Sequence, residues 1–419
     1  MSTSCVVGQS SIERGWRDWA GPNNDFSISS DTSADFAQRP NLVWERVVGK
    51  GHSAVVIDGK YCFCQFSKGK TEYVQKLDLM SGDVVWEFDY PVGIQSQRYP
   101  GPHATPAISK NCLVVASIDG QIHSIDIDSG AERWRVDLRK TFGTKLPQSG
   151  YAASPLIYQD MVLVPTLGES QAAETETRKQ PGGNAPPGIV SLSLESGNTV
   201  WQSSSFRSSH ASPIIVRMDQ KPLVCLHGMF ELIALQPSDG RIVWQHQLRR
   251  EAADNVSFTP LWDEERSQLI VSHGYCTKGT QAIGVKVNRG QWTTKLNWSN
   301  RDMRIVHTNA VLVGATLVGT NRDPSTVLVG VDVQNGETKF KRRGFGKTNL
   351  IRIGKQVVAL DDRGVLFGGL VTDQGIKKTW SIDVSEQQLW TVPSATENQL
   401  LIRAGEKLRL FRFGSRERE

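Results

Sequence analysis

The chain has 419 residues, a net charge of +5 and 38% hydrophobic residues. That charge is too small to mark a nucleic-acid-binding protein, and no nucleic-acid motif accompanies it. No stretch approaches the ~18 apolar residues of a membrane helix, and the opening MSTSCVVGQSSIERGW lacks the basic and apolar regions of a signal peptide, so a cytoplasmic location stays open.

Residues 1–40 read as an extension that packs on the domain after it. NLVWERVV (41–48) is an isolated strand with Trp44 at its centre. A phrase then begins to recur: an aliphatic pair, a turn ending in Gly, and an aromatic four residues on. It runs LDLMSGDVVW (77–86), IDIDSGAERW (125–134), LSLESGNTVW (192–201) and LQPSDGRIVW (235–244). A degenerate copy, GVKVNRGQWTTKLNW, ends at Trp298; VDVQNGETKF ends at Phe340; a stretched LVTDQGIKKTW ends at Trp380. Alternation such as Leu77 and Leu79 marks a strand with one buried face. The Ser-Gly or Asp-Gly pair supplies the positive-φ turn of a tight hairpin. The aromatic on the next strand is expected to pack, largely buried, between modules.

Two more strands precede each phrase, such as ATPAISK and NCLVVASI in the second copy. Each unit is thus a four-stranded antiparallel sheet of about 40 residues, a propeller blade. Seven units end on their own outer strand. After Trp380 come LWTVPSA, NQLLIRAG and KLRLFRF, three strands without a fourth. Pairing them with residues 41–48 completes an eighth blade and removes two exposed sheet edges. The expected fold is all-β: an eight-bladed β-propeller of four-stranded antiparallel blades, closed by the N-terminal strand. It forms one domain over 41–413 with a tail at 414–419, and a monomer is expected.

The six cysteines, Cys5, Cys62, Cys64, Cys112, Cys225 and Cys276, show no zinc spacing and read as small buried hydrophobes. Cys62 and Cys64 share one strand face, too far apart for a disulfide.

The repeats resemble the quinoprotein-type (PQQ-like) propeller repeat. It occurs in quinoprotein alcohol dehydrogenases and in the propeller lipoprotein of the outer-membrane β-barrel assembly machinery. WRDWAGPNND (16–25), VGKGHSAVV, DLRKTFGTKLPQSGYAASPL, GYCTKGTQA and FKRRGFGKTNL extend the likeness to PQQ-like repeat proteins of planctomycetes. The resemblance implies the fold strongly, function weakly, and a periplasmic or cell-envelope location.

In such a blade the inner strand lines the central channel. The blade-to-blade connections share one face, called upper, with the loops joining second and third strands; the tight Gly turns lie on the lower face. Long connections and a Gly/Pro-rich insertion (169–188) fall on the upper face, with Arg98, Arg249, Arg250, Arg304, Arg342, Arg343 and Lys347. The lower turns carry acids such as Asp58, Asp126 and Asp263. HATP, HASP and HTNA place His103, His210 and His307 at the starts of alternate inner strands, near the upper mouth. These ten residues are the candidates for binding a protein, a peptide or an anionic polymer. A metal held by the three histidines is disfavoured, because alternate blades of a wide ring stand far apart.

No catalytic residue is expected: the chain has no GxSxG, HExxH, P-loop or GxGxxG. His52 and Ser53 are adjacent on a strand and so point to opposite faces. The alternative function is a PQQ-dependent dehydrogenase. By the resemblance, its quinone would need two adjacent Cys, a Trp floor and a calcium ion held by Glu, Asn and Asp. The chain has no Cys-Cys pair, and its inner-strand starts supply His, Ser, Thr and Asn rather than acids. No cofactor is therefore expected, with PQQ and calcium as the alternative.

Overall fold

The structure is a computed structural model. It describes residues 15–28, 34–94, 96, 99–146, 149–167, 186–203, 206–248, 256–321 and 326–415. Eight antiparallel sheets of four strands succeed one another along the chain as blades 1 to 8, and one of them gains a fifth strand. Blade 1 runs from Val56–Asp58 to Val84–Pro91, and blade 7 from Thr348–Ile353 to Gly375–Asp383. Blade 8 is composite: Asn41–Val47 pairs antiparallel with Lys407–Arg412, outside Gln399–Ala404 and Ser394–Ala395. Its inner strand is shorter than LWTVPSA suggests, because only Ser394 and Ala395 enter the ladder.

The marker aromatics explain the repeat. The indole N–H groups of Trp44, Trp86, Trp134, Trp201 and Trp298 donate to backbone oxygens of Leu79, Ile127, Leu194, Pro237 and Val333, each in the next blade. Trp380 donates to Phe36 O, in the segment leading into the closing strand. The turn glycine has two reasons to be Gly. Gly197 has φ +72°, and a Cβ there would lie 2.8 Å from the Trp134 ring of the preceding blade. Upstream of the glycine, Asp78 and Asp126 accept hydrogen bonds from the N–H groups of the two turn residues after next, which sets the turn. Trp134, Trp201, Trp244, Trp298 and Trp380 are buried, as is Phe340. Trp86 of blade 1 and Trp44 of blade 8 are less deeply buried than the others.

Two seams depart from the repeat. Blade 5 has a long outer hairpin, Thr280–Asn288 with Gln291–Asn300, and blade 7 another, Val365–Thr372 with Gly375–Asp383. Ala282 faces Trp298 as Ser124 faces Trp134, so Val285 stands where Ile127 stands in blade 2. In the long hairpin Val285 pairs with Thr294, and Trp244 of blade 4 is left with a buried indole N–H and no acceptor among the described residues. Ahead of blade 7 the marker is Phe340, which has no N–H to satisfy.

The N-terminal segment enters the channel from below. Ser27–Ile28 adds to the channel edge of blade 7, parallel to Thr348–Ile353. Ile57, Ile108 and Arg352, on the inner strands of blades 1, 2 and 7, donate N–H groups to Trp16 O, Arg17 O and Phe26 O. Trp16 and Phe26 are fully buried, Trp19 donates to Thr259 Oγ1 of blade 5, and Arg17 pairs with Asp58. Burial pushes the Asp18 carboxyl up to about 6, against a hydrogen bond from Ala20 N–H. Cys62, Cys64, Cys112, Cys225 and Cys276 are buried and stand outside any disulfide among the described residues; Cys5 lies outside the described residues.

Candidate functional site at the upper channel mouth

The register of first and second strands aligns the blades. Asp58 faces Tyr61, Ser109 faces Cys112, Val313 faces Thr316 and Ile353 faces Gln356. Counting back equally from each turn places His52, His103, His307 and Lys347 at one repeat position, just above the inner strand. In blade 8, where Thr396 N–H bonds Gln399 O, the same count reaches Trp390. His210 enters through its matching HASP motif, while blades 3 and 5 present Ala152 and Ser257.

The third residue of the motif is structural. Ala54 N–H donates to Thr105 Oγ1, Thr105 N–H to Ser154 Oγ and Ser154 N–H to Ser212 Oγ, at 3.1, 2.9 and 2.9 Å. Asn309 and Asn349 continue this belt between blades 6 and 7. The hydroxyl thus ties neighbouring inner strands together and frees the first residue to face the mouth.

Tyr99, from the connection between blades 1 and 2, unites the ring. Its phenol lies 6.1 Å from His52, 6.5 Å from His103, 6.2 Å from His307 and 6.4 Å from Trp390, measured between ring centroids. His52 and His103 stand 5.4 Å apart, and His307 and Trp390 5.6 Å. Lys347 Nζ sits 5.2 Å above the Trp390 ring, a cation–π contact. His103 Nε2 donates to Tyr99 O at 2.8 Å, which fixes both the tautomer and the Tyr99 backbone.

Burial sets the charge of the ring. It pushes His52 down to about 3 and His210 down to about 4, and the neighbouring imidazoles add to both shifts. His103 is lowered for the same reason. At neutral pH these imidazoles are uncharged donors and acceptors, and His210 Nδ1 is buried without a partner among the described residues. Arg403, 1% exposed, lies behind His52. It donates to Ser53 O, Gly49 O and Gln65 O, and no carboxylate is among these partners. Its field is one cause of the His52 shift.

The other candidates fall elsewhere. Arg342 is at the outer rim, donating to Gln374 O and Oε1 in the blade 7 hairpin, and so takes no part in the mouth. Arg304 donates to Arg301 O beside Asp302, and Arg343 is exposed. Arg98, Arg249, Arg250 and most of the 169–188 insertion lie outside the described residues. The expected division of charge between faces is softened by local pairing. Arg139 meets Asp119 and Asp137 on the upper face, Lys341 meets Asp302, and on the lower face Asp126 holds Arg133 and Asp263 holds Arg266.

His52, Tyr99, Trp390 and Arg403 were not among the candidates from sequence. Aligning GHSA with HATP identifies His52, and a lone Arg inside the apolar run LLIRAG signals Arg403. Tyr99 has no such signal, because its connection follows no repeat.

The profile of the family described as outer membrane protein assembly factor BamB matches residues 70–342. The chain belongs to this BamB family. The match begins within blade 1 and stops at the end of blade 6, so the two blades that close the ring come from the structure. BamB from Moraxella catarrhalis aligns over 90% of this chain and 100% of its own, at 16% identity and a TM-score of 0.62. A europium-containing methanol dehydrogenase aligns over 96% and 99%, at 10% identity and 0.52. The quinohemoprotein alcohol dehydrogenase of Comamonas testosteroni aligns over 100% and 83%, at 10% identity and 0.53. These likenesses are of fold. No curated protein matches the chain by sequence.

The mouth of this BamB-family propeller does not fit a quinone–calcium centre. Its repeat positions offer imidazoles, an ammonium and an indole where calcium requires several oxygens, usually carboxylates. Among the described residues no three His, Cys, Asp or Glu side chains are arranged to hold a metal ion. Tyr99 stands among the ring residues. Also among the described residues, no helix is long and apolar enough to cross a membrane.

Proposed function

We propose that the protein is a non-enzymatic scaffold of the cell envelope. It holds a protein partner at the mouth of its upper face through an anionic segment of that partner. Membership of a family described as an outer membrane protein assembly factor supports the envelope setting and the protein partner. The observation that carries the reading is Arg403, a buried guanidinium satisfied by carbonyls alone, beside a mouth whose repeat positions contain no carboxylate. A buried charge is screened far less than a surface one, so its potential favours an incoming anion. Lys347 adds a second positive charge, beside the Asp362 carboxylate that its backbone N–H reaches at 2.8 Å, and the uncharged imidazoles add hydrogen-bond capacity. The reading calls for no cofactor and no catalytic residue.

Fluorescence anisotropy with labelled poly-glutamate tests it, with poly-lysine as the opposite-charge control. Poly-glutamate should bind more tightly, weaken as salt rises, and weaken again with Lys347→Ala. Arg342→Ala, at the outer rim, should change nothing. Equal binding of both polymers, or affinity indifferent to salt and to Lys347, refutes the reading.

A further inference from the structure

We propose that the groove on the lower face, at the seam of blades 4 and 5, binds a short saccharide. This site is separate from the upper mouth and does not depend on its role. The groove holds about 820 Å³, within the ~300–1,000 Å³ of small-molecule sites.

The repeat itself shows why the space exists. At the ordinary seams a tight turn covers the preceding marker Trp, as Gly197 covers Trp134, and a turn carbonyl takes the indole N–H. In blade 5 the turn is carried outward on the long hairpin, and a Cβ at its tip, Gly290, would meet nothing within 4 Å. Among the described residues the seam keeps two buried indole N–H groups without acceptors, those of Trp244 and Trp262. The long hairpin of blade 7 meets a different neighbour: Phe340 brings no N–H and Arg342 folds onto Gln374.

The lining selects the ligand. Trp262 and Trp292 are half-buried: each packs on the core and also lines the groove. Around them stand Arg217, Glu264, Lys286 and Asn297, side chains of both charge signs and an amide. Asn297 Nδ2 is anchored on Gln268 Oε1 at 2.9 Å. A purely apolar ligand would strip water from these polar groups without replacing it. A strongly charged polymer would meet as much repulsion as attraction. A sugar ring satisfies both parts of the lining: its C–H faces pack on indole, and its hydroxyls donate to carboxylate and amide oxygens and accept from ammonium and guanidinium groups.

Saturation-transfer difference NMR on the full chain, with chitotriose, maltotriose and cellotriose as probes, tests the assignment. At least one probe should show saturable transfer that is insensitive to salt. Trp292→Ala should weaken its binding about tenfold, and Glu264→Gln should weaken it too, with both variants keeping a wild-type far-UV circular dichroism spectrum at the assay temperature. Lys347→Ala, at the opposite mouth, should leave it unchanged, so this site and the upper-face reading fail separately. No transfer to any of the three probes overturns the proposal. So does binding that survives both groove variants, or binding that is lost in Lys347→Ala.

Discussion

Two glycines with nearly the same backbone separate the two reasons for the repeat's Gly. Gly197 has φ +72° and lies against Trp134; Gly290 has φ +80° and lies in open space. Alanine at either site must hold a left-handed conformation, at about 1–2 kcal/mol. At Gly197 the new methyl would also stand 2.8 Å from ring atoms of Trp134. That ring is 8% exposed and held by its N–H to Leu194 O at 2.9 Å, so it cannot swing aside cheaply. Crowding a packed core costs about 1–3 kcal/mol more. Gly197→Ala should therefore lose roughly 2–5 kcal/mol and Gly290→Ala roughly 1–2. Urea unfolding followed by tryptophan fluorescence measures both, and an unchanged slope assigns the shift to native stability. Equal midpoint shifts for the two variants would refute the claim that the turn glycine is selected by the indole as well as by φ.

Other consequences follow from the same contacts. Trp201→Phe removes an N–H bonded to Pro237 O and should cost about 1 kcal/mol beyond Trp244→Phe, whose N–H has no acceptor; urea midpoints decide it. Deleting residues 1–48 removes both the channel segment and the outer strand of blade 8. The product should aggregate or lose cooperative unfolding, and a truncated chain that melts like the whole protein refutes the closure. His52 and His210 titrate near 3 and 4 when folded, below the 6.5 of a free imidazole. The unfolded chain therefore takes up protons first as pH falls, and the stability they contribute above pH 6.5 is lost between about 6.5 and 3. Glu72 has the opposite sign. Burial pushes it up to about 8, so its contribution is full below 4.5 and is lost as pH rises to about 8. Thermal melts across pH should show both limbs, and Glu72→Gln should flatten only the alkaline one.

The eight blades, their order and the closing strand were legible in the sequence, because each depends on local rules. Alternation sets the buried face of a strand, a positive-φ Gly sets the turn, and an aromatic at fixed spacing sets the seam. Counting strands then leaves 41–48 and 407–413 with only each other to pair. The mouth was half legible. His103, His307 and Lys347 repeat in register and His210 shares their motif, so they could be found, whereas Tyr99 arrives on an irregular connection and Arg403 crosses from blade 8 to the carbonyls of blade 1. Arg342 misled, since a basic residue at a strand end reads as surface until the neighbouring hairpin offers Gln374. The lower-face groove was recorded in the sequence only as a degenerate repeat, with Trp298 too far from its aliphatic pair. That extra length has no local meaning. It becomes a vacancy only when the preceding blade's marker, Trp244, is brought up against a hairpin whose turn has moved away, and such contacts between residues distant in sequence are set by the ring.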